Sequence, residues 1–69
     1  MELLKKQETQ VTEVTYTLQD CFGVITYKEW LEGDKCIDSI LRDKDGYTID
    51  DPDLLEQVIL HLESIGELD

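Results

Sequence analysis

From Val11 to Leu18 the chain reads VTEVTYTL, with Val14, Tyr16 and Leu18 at alternate positions and Thr15 and Thr17 between them. A period of two over β-branched residues predicts a half-buried strand. Turn residues follow in QDCFG, and VITYKEWLE then sets Ile25, Tyr27 and Leu31 on one side against Val24, Thr26, Lys28 and Trp30 on the other. The two runs predict a hairpin. After EGD, the run KCIDSILR predicts a third strand, with Ile37, Ser39 and Leu41 facing one way and Cys36, Asp38, Ile40 and Arg42 the other. A short fourth strand is expected over Tyr47 to Ile49.

The period changes in the last third. Leu55, Val58, Ile59, Leu62 and Ile65 recur at three- and four-residue spacing, the apolar stripe of an amphipathic helix. Asp51 is placed to cap free amides, Pro52 suits the first helical position, Asp53 and Glu56 complement the positive end of the helix dipole, and Gly66 is a stop signal. The expected architecture is α+β: a small antiparallel meander of three to four strands followed by one C-terminal amphipathic helix packed on one face. Residues 1–10 are expected to be a loose N-terminal leader, and 11–69 a single acidic domain.

Size sets the first functional bound. A chain of 69 residues buries only about 60% of the surface its unfolded form exposes, so its core is small and an enclosed substrate pocket would consume much of it. A binding protein is expected, not an enzyme. Charge sets the second: seventeen acids against six bases leave a net charge of −11, which disfavours direct contact with a nucleic-acid backbone or an anionic membrane surface and favours a protein partner with a basic surface. The imbalance is local. Residues 1–28 hold four acids and three bases, whereas 29–69 hold thirteen acids and three bases. At 41% hydrophobic residues the chain is too apolar for simple disorder, so a folded surface should carry the charge. No run approaches the about 18 apolar residues of a membrane span. With two cysteines, Cys21 and Cys36, a disulfide framework is not expected and the reducing cytoplasm is.

Asp43 to Asp53 holds five aspartates and a glycine, which raises the possibility of a calcium loop. An EF-hand loop needs oxygen ligands at positions 1, 3 and 5, glycine at 6 and glutamate at 12. Starting at Asp43 puts Thr48 at 6 and Leu54 at 12; placing Gly46 at 6 puts Leu41 at 1 and Pro52 at 12. Both registers fail. Asp45-Gly46 instead reads as a tight turn, and Asp50 to Asp53 as a helix start. His61, Cys21 and Cys36 lack the paired short spacing of zinc ligands or the local signature of a Cys-His nucleophile. No metal, cofactor or catalytic residue is assigned.

Two binding surfaces remain. Asp43, Asp45, Asp50, Asp51, Asp53 and Glu56 form a candidate acidic face, and Val24, Trp30 and Ile40 a candidate apolar patch on the sheet face away from the helix. The first suggests a small inhibitor or adaptor that presents carboxylates to a nucleic-acid-binding protein. In size and charge, though in no matched motif, the chain is comparable to phage-encoded DNA mimics and anti-CRISPR inhibitors. The second suggests an interaction module that homodimerises or joins a larger complex through Trp30, with the Thr-rich first strand as an edge for β-augmentation. An antitoxin-like pairing with a small basic protein is a third class.

Overall fold

The computed structural model describes residues 1–9, 13–21, 23–33 and 35–68. Four strands and a helix follow in chain order: β1 (Glu2–Thr9), β2 (Glu13–Asp20), β3 (Gly23–Glu32), β4 (Lys35–Arg42) and α1 (Pro52–Ser64). The strands form one antiparallel sheet in the order β1-β2-β3-β4. The α+β meander with its C-terminal helix is therefore the fold. Val11 and Thr12, which the pattern put at the start of the first strand, and Phe22 in the turn after it lie outside the described residues.

Alternation in β2 and β3 works as the pattern predicts. Val14, Tyr16 and Leu18 pair with Glu29, Tyr27 and Ile25 and are buried with them on one face. Against that face α1 packs Val58 and Leu62, both fully buried, with Leu54, Leu55 and Ile59 partly so. Ile65, the fifth residue of the predicted stripe, is exposed because the helix has reached its C-cap there.

The helix begins where its chemistry allows. Asp51 is extended, and its Oδ1 accepts from the amides of Asp53 at 3.0 Å and Leu54 at 3.2 Å. Those amides would otherwise have no intrahelical partner. At the other end Gly66 takes φ +81, a conformation side chains disfavour, and the Glu67 amide reaches back to the Leu62 carbonyl at 2.9 Å. The closure folds Glu67 and Leu68 back toward the sheet.

Two expectations are corrected at the edges. Residues expected as a loose leader form the edge strand β1, whose partners run from Glu2↔Gln19 to Thr9↔Glu13. Its register shifts between Leu3 and Lys5, so Leu3 lies opposite Leu18 while Lys6 and Glu8 fall opposite Tyr16 and Val14 on the same face. Leu4, at the shift, is exposed. The fourth strand expected at Tyr47 to Ile49 is reduced to a bridge between Arg42 and Thr48 and one bond from the Ile49 amide to the Leu41 carbonyl. Too few residues separate the Gly46 turn from the capped helix start for a longer ladder.

A second irregularity lies in β4, where Asp38 pairs with Trp30 but Cys36, not Ile37, pairs with Leu31. One extra residue reverses the alternation beyond it. Ile37 is thus left exposed, and Cys36 joins Ser39 and Leu41 on the helix-facing side, the reverse of the expected assignment.

Candidate functional site

The acidic segment is a turn followed by a cap, held by its own aspartates. Asp43 Oδ1 accepts from the amides of Asp45 at 2.9 Å and Tyr47 at 3.0 Å, and the Gly46 amide donates to the Asp43 carbonyl at 3.1 Å. Gly46, at φ +89, permits the reversal. Asp43 and Asp51 thus spend their side chains on backbone amides. Asp45, Asp50, Asp53 and Glu56 are exposed, so the segment is an ordered scaffold with carboxylates turned outward.

Charge is distributed unequally over the fold. By register, the side away from the helix carries Lys5, Lys28, Lys35 and Arg42 on its strands together with Glu2, Glu13, Glu32 and Asp38, a balanced set among threonines. Lys28 binds Glu13 at 2.8 Å and sits 5.8 Å from the centre of the Trp30 ring. Residues 43–68, which comprise the turn, the cap and α1, carry eight acids and, of lysine and arginine, Lys44 alone. The surplus of negative charge is therefore concentrated in the turn, the cap and the helix.

The three residues of the expected apolar patch do lie on the uncovered face, but they do not form one cluster. Ile40 is opposite Lys28 and diagonal to Trp30, which is opposite Asp38. Val24 is six residues from Trp30 along β3, roughly 20 Å at strand rise. Trp30 and Ile40 are half-buried, with the Lys28 stem beside the indole.

Sequence patterning missed a cleft. Where the helix ends, the helix-facing side of the sheet is left open as a depression of about 570 Å³ floored by Tyr16, Tyr27 and Glu29. Leu31, Cys36 and Ser39 flank one side; Lys6 and Glu8 of β1 flank the other, and Glu63, Glu67 and Leu68 form the rim at the helix end. Tyr16 and Tyr27 stack with centroids 6.1 Å apart. Glu29, 5% exposed, is a buried charged residue whose Oε2 accepts from the Tyr27 hydroxyl at 3.4 Å. That bond is long for an O–H donor.

Lys6 shows how this surface treats a cation. Its Nζ is 2.8 Å from Glu67, 3.3 Å from Glu8 and 5.7 Å from the centre of the Tyr16 ring. Hydrogen bonding to Glu67 holds the ammonium well above the usual lysine range against some desolvation. Burial pushes the Tyr27 phenol up to about 12, with the Glu29 charge acting in the same direction. Burial, then Glu29, also raises Tyr16 and the Cys36 thiol.

Among the described residues no three His, Cys, Asp or Glu side chains gather as a metal site, and no helix is long and apolar enough to cross a membrane. Cys21 in the β2–β3 turn and Cys36 at the start of β4 stand at opposite ends of β3, both as free thiols. His61 is on α1. The chain matches no known protein family, no curated protein and no solved structure.

Proposed function

We propose that this chain is a non-enzymatic acidic binding protein of the cytoplasm that docks its carboxylate-rich side on the basic surface of a nucleic-acid-binding protein, acting as an inhibitor or adaptor. The observation that carries the proposal is the ordered display: exposed carboxylates of Asp45, Asp50, Asp53 and Glu56 stand on a segment whose backbone is tied down by Asp43 and Asp51. Carboxylates held at fixed spacing lose little entropy on docking and can occupy the positions of phosphates in a positive groove. Their summed field also speeds encounter with a cationic surface. Competition with nucleic acid for that groove would inhibit the partner without any chemistry by this chain.

The test is capture of partners from the native host at low and high salt, identified by mass spectrometry, with the unmodified chain and with Asp50, Asp51 and Asp53 all changed to asparagine. Asparagine caps helices about as well as aspartate, so the triple change removes charge while keeping the helix start. The expected partner is a nucleic-acid-binding protein whose retention falls with salt and falls at least about tenfold in the variant, the loss of a few solvent-exposed ion pairs acting together. Retention indifferent to both overturns the proposal.

The uncovered sheet face supports a second reading, an interaction module that associates through Trp30 and Ile40 with a second copy or a larger complex. Unchanged oligomer size and partner affinity in Trp30→Ala would remove it.

A further inference from the structure

The cleft at the end of α1 is unlike the acidic segment: it holds one carboxylate inside the fold, not several outside it. Glu29 is 5% exposed, it takes hydrogen bonds from the Tyr27 hydroxyl at 3.4 Å and from the Cys36 thiol, a weak donor, and among the described residues no lysine, arginine or histidine lies within ion-pair distance of it. A carboxylate can accept about four hydrogen bonds, and one enclosed with two weak or long donors and no cation beside it keeps room for a stronger partner. A cation entering the cleft would be such a partner.

The walls narrow the kind of cation. Tyr27 lies beside Glu29 and its ring stacks with Tyr16, so the cleft brings a carboxylate and two aromatic side chains together at its floor, the rings 3% and 2% exposed. The fold already uses that pairing once, in Lys6 held between Glu67 and the Tyr16 ring. A planar guanidinium suits the second position better than an ammonium, because it binds a carboxylate through two parallel bonds, stacks on a ring and sheds water more readily. The volume of about 570 Å³ falls in the range of pockets that take a small ligand or side chain. The chain's single arginine does not fill it: Arg42 pairs with Thr26 on the opposite side of the sheet and donates through Nη1 to the Gly46 carbonyl at 3.3 Å.

We infer that this cleft is a receptor for one arginine side chain of the basic partner, with Glu29 as its carboxylate anchor and the Tyr27–Tyr16 pair as its aromatic wall. The inference rests on the proposed docking to a basic protein and assigns it a specific anchor point. The exposed carboxylates would draw the partner in, and Glu29 would select an arginine at one position.

The probe is N-acetyl-arginine amide, titrated into the isotopically labelled full chain and followed by NMR. The expected result is saturable shifts of the Glu29 carboxyl carbon and the Tyr27 ring, with intermolecular NOEs from the arginine side chain to both tyrosine rings. Blocked lysine should bind more weakly. Glu29→Gln, nearly the same in shape, should weaken arginine binding by about tenfold, as expected for loss of a charge-assisted pair. The Asp50, Asp51 and Asp53 triple variant should leave it unchanged. Non-saturating shifts spread over residues 43–56, or unchanged binding in folded Glu29→Gln, would overturn the inference, and NOEs absent from the unmodified chain would do so without any variant. The single amino acid probe separates this outcome from the partner capture above: saturable binding in the cleft alongside charge-indifferent capture would sustain the cleft and sink the mimicry.

Discussion

The two ends of the helix-facing side of the sheet are made from the same strands and differ in how they close. At one end Leu18, Ile25 and Leu41 meet Val58 and Leu62 in an apolar core. Toward the other, Tyr16 and Tyr27 continue the core from the same strands, and with the buried Glu29 they line the floor of a cleft. Alternation decides which side chains point inward, and their chemistry decides whether the space above them can be sealed. Apolar groups gain by losing water; a carboxylate does not. The core runs on through Val14, Tyr16 and Tyr27, and Glu29 interrupts its apolar lining at the end that the helix leaves open.

The contrast can be broken most severely at its closed end. Leu62 is fully buried, and Leu62→Ala should lower the unfolding free energy in urea by about 2–5 kcal/mol, the cost of the lost methylenes and the cavity left behind. A loss no larger than that of a surface change would mean that helix and sheet are not packed as described.

The next effect is read with pH. The Tyr27 phenol titrates near 12 in the fold and near the ordinary 10.0 in the unfolded chain, so between these values the unfolded state binds fewer protons and stability falls as pH rises. Its contribution is intact below pH 10 and is lost toward about 12. Urea midpoints and phenolate absorbance across that window should show the fall, and Tyr27→Phe should flatten it. A midpoint constant through the window would place Tyr27 in water.

The smallest effect has the opposite sign. Replacing a buried carboxylate that has no cationic partner by an apolar side chain of similar length is often neutral or favourable, so Glu29→Met should leave thermal stability unchanged or raise it by up to about 1 kcal/mol while abolishing arginine binding. Destabilisation would instead identify Glu29 as a satisfied member of the core.

How much of this could be read along the chain depended on how local the cause was. The β2 and β3 alternation, the Asp51 cap, the Gly46 turn and the helix stripe are set by neighbours a few residues apart, and each, Ile65 at the end of the stripe excepted, stands where the pattern puts it. The edge strand β1 was not legible because ELLKKQET lacks alternation: the shift between Leu3 and Lys5 puts Leu3, Lys6 and Glu8 on one face, and no fixed period finds them. Cys36 was assigned to the wrong side for the same reason, one extra residue at Ile37. Glu29 did leave a signal. It stands in phase between Tyr27 and Leu31 on the inward side, and a glutamate in phase with buried positions marks either an interruption of the core or a site.

By itself, the order of residues determined the kinds of element, the capped start of the helix and the surplus of negative charge, because these follow from side-chain chemistry over short spans. Only the tertiary structure decided that β1 completes the sheet, that Cys36 turns to the helix-facing side and that Glu29 is enclosed beside two tyrosines. Those outcomes depend on which distant segments pair and where a bulge shifts the register, and long-range pairing of that kind has no signature in any single stretch of chain.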